Sequence, residues 1–112
     1  MTTTRPTPAA PANAAFGHWA EQVAAEHLTA AGWRLLASNF RLRGGELDLV
    51  FRAGATVVVV EVKQRSSAAY GYPAESIDRR KLARLRATAH YYVNFVLREP
   101  DASMRLDAVL VL

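Results

Sequence analysis

From Gly17 onward the chain moves between two hydrophobic rhythms. Ala20, Val23, Ala24, Leu28 and Ala31 recur at three- and four-residue spacing, which predicts a helix over residues 17–31. Gly32 stands where a helix stop is expected, and Asn13 is a candidate start cap. Residues 33–40 read as a first strand. Residues 46–51 then alternate, with Glu46, Asp48 and Val50 to one side and Leu47, Leu49 and Phe51 to the other. Ala53-Gly54 signals a turn. The valines at 57–60 are apolar towards both faces, the pattern of a central strand covered on both sides. Residues 46–51 and 57–63 are therefore expected to pair as a hairpin. Residues 66–73 read as a small-residue loop holding Tyr70 and Tyr72. A long helix is predicted over residues 74–98, with Leu82, Leu85, Ala89, Tyr92, Val93 and Val96 on its apolar face. Glu99-Pro100-Asp101 breaks it, and residues 104–112 form a last strand. The order is α-β-β-β-α-β. It predicts an α/β domain with a mixed sheet of about four strands flanked by helices. Residues 1–15 are Thr, Pro and Ala with little charge, which predicts a flexible tail ahead of a single domain over residues 16–112.

Against that pattern, charge falls inside strands that ought to be buried. Glu61 and Lys63 directly follow the valines, and Glu46 and Asp48 lie on the partner strand. Side chains two apart on a strand share a face. An even-length turn makes every opposed pair across the hairpin sum to an odd number, which brings Glu46, Asp48, Glu61 and Lys63 out together. Converging carboxylates repel one another and raise a pKa, and a bound divalent cation relieves them. Hard oxygen donors suit Mg²⁺ or Mn²⁺ rather than Zn²⁺. A lysine beside such a cation would orient or help deprotonate a water, or neutralise charge developing at phosphorus. The alternative is that these charges are solvated strand ends or guards on a sheet edge.

Composition narrows the classes further. A chain of 112 residues is one small domain. It has no cysteine, which excludes disulfides and thiolate metal sites and permits a reducing compartment; the expected location is the cytoplasm. No apolar run approaches the roughly 18–20 residues needed to cross a bilayer, so no membrane association is expected. The net charge of +4 suits a polyanionic partner, and 12 of the 14 basic residues are Arg, which grips phosphate bidentately. Arg43, Arg65, Arg79, Arg80, Lys81 and Arg84 are the candidate phosphate contacts. For residues 79–86 the alternative is a solvated helix face, and for Gln64 and Arg65 a solvated strand end. Tyr70 and Tyr72 either stack on unpaired bases or pack their loop. Glu21 sits beside the apolar helix positions and reads equally as a solvated residue. His18, His27 and His90 lack metal-ligand spacing and read as structural. Arg105 and Asp107 read as a structural ion pair.

The segment GGELDLVFRAGATVVVVEVKQR resembles the PD-(D/E)XK nuclease motif, with Asp48 as its D and Glu61-Val62-Lys63 as its E-x-K. Over residues 16–112 the chain is more closely similar to the YraN-like family of small bacterial proteins. That family's motifs read here as Gly17 with Glu21, residues 45–49, residues 60–65, Lys81, and Arg105-Leu106-Asp107. The resemblance implies a restriction-endonuclease-like core, similar to archaeal Holliday-junction resolvases. It further implies Asp48 and Glu61 as metal ligands, Lys63 as the water-positioning lysine, and Glu21 as the helix-borne carboxylate completing the site. Glu46 matches a family position without an assigned role.

The functional expectation is a Mg²⁺- or Mn²⁺-dependent nucleic-acid phosphodiesterase, with DNA as the expected partner and junctions or other DNA structures as substrates. Two alternatives stand beside it. One is a non-catalytic nucleic-acid-binding module with a vestigial site. The other is a protein-interaction domain that forms a homodimer through an apolar helix face.

Overall fold

A computed structural model describes residues 16–64 and 78–112. Helix α1 (Trp19–Ala30) is followed by strands β1 (Arg34–Leu42), β2 (Gly45–Ala53) and β3 (Thr56–Gln64), helix α2 (Arg79–Tyr91) and strand β4 (Ser103–Val111). The strands form a four-stranded sheet in the order β1-β2-β3-β4. β1, β2 and β3 are antiparallel neighbours, while β4 runs parallel to β3. A parallel pair needs a crossover connection, and α2 supplies it. This is the α/β arrangement expected from the residue pattern. The candidate cap Asn13, the tail over residues 1–15, the loop with Tyr70 and Tyr72, Arg65, and the expected first turn of the second helix at 74–77 lie outside the described residues.

The valines at 57–60 make β3 the centre of the fold, and all four are essentially inaccessible to solvent. Val58 and Val60 join Leu49 and Phe51 under Ala20, Ala24 and Ala25 of α1. Val57 and Val59 join Leu47 and Val50 under Ala89 of α2 and the adjoining Tyr92 and Val93. Small alanines on α1 let that helix lie close to the sheet, and burying each valine contributes roughly 1.5–3 kcal/mol. α1 ends as the sequence suggests: Ala31 is its C-cap and Gly32 takes a φ of 101°. α2 opens on Asp78, whose carboxylate accepts the Lys81 N–H at 2.8 Å.

Three local features depart from the pattern. Leu36 is an extra residue in β1, between the pairs Leu35↔Phe51 and Ala37↔Val50. Asn39 takes a left-handed φ of 53° in mid-strand. Leu47 joins the α2-side cluster although Leu49 and Phe51 face α1, so the expected alternation breaks at Asp48. The second helix also stops sooner than expected. Residues Tyr92–Val96 form a wider turn, with Leu97 N–H bonded to the Tyr92 carbonyl at 2.9 Å. The extra residue in that turn rotates Val96 off the apolar face, and it is half-exposed.

Gly45 fixes the distance between α2 and the sheet. A Cβ placed there would lie 1.9 Å from Thr88 Oγ1 and 3.1 Å from its Cβ. Thr88 is buried and its hydroxyl donates to the Arg84 carbonyl, so it cannot swing away freely. Gly45→Ala is expected to destabilise by about 1–3 kcal/mol through overpacking. In urea denaturation, adding Thr88→Ala should recover part of the loss; a strictly additive pair would show that helix and strand do not meet at this point.

Candidate functional site

The site forms where β2 and β3 stop pairing. Their two-residue turn, Gly54-Ala55, is even, and the register runs from Ala53↔Thr56 to Leu49↔Val60. Each pair sums to an odd number, as the hairpin reading required. One step further the Val62 N–H is taken by the Asp48 side chain, at 2.8 Å from Oδ2, and not by a backbone carbonyl. Asp48 thus occupies the seam between the strands, beside Glu61.

Two cavities flank this seam and share Glu46, Asp48 and Glu61 in their walls. One, of about 260 Å³, lies towards α2 and includes Gly45, Lys81 and Arg84. The other, of about 520 Å³, lies towards α1 and includes His18, Glu21, Asn39, Arg41 and Lys63. The carboxylates therefore emerge together, though at a seam open to both sides of the sheet and not on one flat face. Glu21 reaches the seam from α1. Gly17 makes room for it, since a Cβ there would sit 3.0 Å from Glu21 Oε1.

Burial dominates the electrostatics. Glu21 is 3% exposed, and neither carboxylate oxygen has a hydrogen-bond partner at normal geometry. Burial, and then the charge of Asp48, push its carboxyl up, with His18 offsetting part of the effect. Asp48 is raised by burial against the favourable Val62 N–H. Glu61 is pushed up to about 7, first by burial and then by Asp48, with Lys63 opposing. Its Oε2 is buried without a partner, while Oε1 lies 3.8 Å from Lys63 Nζ. Lys63 is drawn below the usual lysine range by the adjoining Lys81 amine and by burial. Lys63 and Lys81 are the only lysines in the chain, and they adjoin each other here.

The remaining candidates divide. Lys81 and Arg84 line the α2-side cavity. Arg79 and Arg80 are exposed on the first turn of α2, outside both cavity walls, and Arg43 is exposed in the β1–β2 turn. Glu46 stands at the rim, 3.4 Å from Arg41. Arg41 and Asn39 escaped the sequence reading, and His18, read as structural, lines the α1-side cavity. Only the alternation of Arg41 with Arg43 along the strand hinted at any of them. Arg105 and Asp107 form the expected ion pair, at 2.8 and 2.9 Å, away from the site.

Among the described residues no three His, Asp or Glu side chains are arranged as a ready-made metal cage. Mg²⁺ does not require one, because it commonly uses one or two carboxylates and fills its other positions with water and substrate phosphate. Asp48 and Glu61 fit that role, for Glu61 Oε2 is a buried oxygen with no other partner and Asp48 commits Oδ2 to Val62. Glu21 stands across the seam and is not gathered with them into one cluster.

The family model described as uncharacterised protein family UPF0102 matches residues 20–111. The chain belongs to UPF0102. A UPF0102 protein of Methylococcus capsulatus is 48% identical over 95 residues, covering 85% of this chain and 76% of its own length. A UPF0102 protein of Beutenbergia cavernae is 48% identical over 101 residues, covering 88% and 82%. One from Frankia alni is 46% identical over 99 residues, covering 87% and 80%. The YraN-like membership expected from the motifs is therefore correct. UPF0102 is described as uncharacterised, so membership brings no reaction with it. Among the described residues no helix is long and apolar enough to cross a membrane.

Proposed function

We propose that this UPF0102 protein is a divalent-metal-dependent nucleic-acid phosphodiesterase acting on DNA. One observation carries the reading: the unpartnered, buried oxygen of Glu61 lies beside Asp48 and next to Lys63, in a seam walled by Lys81 and Arg84. Two buried carboxylates so placed are costly to the folded protein, and a cation with a phosphodiester would relieve them. Asp48 and Glu61 would hold the Mg²⁺ or Mn²⁺, with Glu21 completing its surroundings from α1. When bound, the cation supplies Lewis acidity and an activated water. Lys63 would orient the attacking water and neutralise charge developing at phosphorus. Lys81 and Arg84 anchor the phosphate from the helix side.

A panel of junction, flap, single-strand and duplex DNA, assayed with Mg²⁺ and with Mn²⁺, tests the reaction. Cleavage of at least one substrate, lost in EDTA, supports the proposal. Binding without cleavage of any substrate would make the protein a nucleic-acid-binding module. Metal binding has its own readout in thermal unfolding. At a concentration 100 times its Kd, a cation that binds only the folded state stabilises by about 2.7 kcal/mol. Mg²⁺ is expected to raise the Tm of the wild type and to raise that of Asp48→Asn much less. Equal shifts in both proteins would place the cation elsewhere.

A further inference from the structure

The basic residues at the site continue along α2 into exposed aromatic rings. Arg80, Arg84, Tyr91 and Phe95 are all exposed. At 3.6 residues per turn Arg80, Arg84 and Tyr91 fall within about 40° of one another around the α2 axis, and the Phe95 ring stands against that of Tyr91. Arg84 lines the carboxylate cavity, so the stripe begins at the site itself. At its far end the rings of Tyr91 and Phe95 lie 5.0 Å apart with a tilt of 41°. Phe95 is 66% exposed, while its neighbours Tyr92 and Val93 fill the core.

We infer that this stripe carries a single unpaired nucleic-acid strand away from the site, with phosphates on Arg80 and Arg84 and bases on Tyr91 and Phe95. The inference rests on the nuclease reading and adds the class of substrate. Exposed rings offer a surface to the face of a base, which is available only where the strand is unpaired. Seven residues of helix separate Arg84 from Tyr91, about 10 Å, and eleven separate it from Phe95, about 16 Å. At roughly 3.4 Å per stacked nucleotide these spans correspond to about three and five nucleotides. The favoured substrate therefore has at least that many unpaired nucleotides on one side of the cleaved phosphate. Charge favours a polyanion over a second copy of this chain as the occupant. α2 contains no Asp or Glu from Arg79 to Tyr91, so a second α2 would bring no opposite charge to Arg80 and Arg84.

Fluorescence anisotropy in EDTA, where cleavage is suppressed, tests this with a blunt duplex and the same duplex carrying a five-nucleotide overhang at its 3′ or 5′ end. The double variant Tyr91→Leu with Phe95→Leu keeps apolar bulk but removes stacking, and Tyr91→Phe and Phe95→Tyr keep the rings. Wild type is expected to bind one overhang at least about 10-fold tighter than the blunt duplex, the effect of one stacked base. The leucine variant should lose that preference while binding the blunt duplex as before, and the ring-keeping variants should retain it. Sedimentation velocity should give a monomer for wild type and leucine variant alike. Equal wild-type affinity for blunt and overhanging DNA would overturn the inference and leave the nuclease reading standing. So would a leucine variant that keeps the preference, or a wild-type dimer that Tyr91→Ser with Phe95→Ser dissociates. Failure to bind any DNA at low salt would remove both.

Discussion

Lys63→Ala is expected to lower cleavage by at least about 100-fold while leaving DNA affinity nearly unchanged. Loss of a group that handles a proton in the transition state typically costs 10²–10⁴-fold, and Lys63 is the amine beside Glu61. In the metal-free protein it lies against Glu61 and Lys81, so it adds little to phosphate neutralisation. Lys63→Arg should not restore the rate, because a guanidinium holds its proton and needs more room. Arg80→Ala with Arg84→Ala should behave in the opposite way. Each arginine that contacts a phosphate contributes about one unit to the log–log slope of affinity against salt, so the double variant should bind more weakly with a slope flatter by about one to two units. Single-turnover cleavage and salt titrations on the same substrate separate the two roles. A Lys63→Ala protein that cuts at the wild-type rate would remove Lys63 from the chemistry.

The features that build the seam were legible to the extent that they are local. Four consecutive valines can only be satisfied in a strand covered on both faces, and β3 is that strand. The parity of the turn dictated which carboxylates share a neighbourhood, and it held although the turn lies one residue later than the Ala53-Gly54 signal suggested. Glu21 was ambiguous in sequence because helix position alone does not say what a residue faces. Asn39 comes to the same place from β1, for a Cβ at Gly17 would meet both Glu21 and Asn39.

Asn39 adopts its left-handed backbone within a strand whose sequence shows no turn signal. Leu36 bulges from β1 where its register against β2 shifts. Together they accompany the change of face at Asp48 that opens the seam to both sides, which strict alternation could not anticipate. The wide turn after Tyr91 was equally invisible, since residues 92–96 carry an ordinary helical pattern. It is also what turns Val96 outward. Tyr91 and Phe95 lie off the apolar face that the spacing predicts, and their rings are exposed.

Glu61→Gln is expected to stabilise the metal-free protein at pH 8 by on the order of 2–3 kcal/mol and to change it little at pH 5. The Glu61 carboxyl rises from 4.5 to about 7 on folding, through burial first and the charge of Asp48 second, with Lys63 and Lys81 opposing and Glu46 adding to the rise. A raised acid binds its proton more tightly in the folded state, so the folded protein holds more protons than the unfolded chain between pH 4.5 and about 7. Stability therefore falls as pH rises through that window, and the full cost is present above it. The side chain is only 12% exposed, so solvent screens little of this. Glutamine keeps the shape and carries no charge to desolvate. Asp48→Asn should give a smaller gain, because the Val62 N–H already favours the Asp48 carboxylate and binds a neutral amide oxygen less strongly. Chemical denaturation in EDTA across pH 5–8.5 measures the difference between wild type and each variant, which cancels groups titrating elsewhere. Saturating Mg²⁺ should reverse the order at pH 8, stabilising the wild type and sparing Glu61→Gln. A wild type more stable than Glu61→Gln at pH 8 without metal would mean that the Glu61 charge is already compensated within the protein, and the case for a cation at the seam would fall with it.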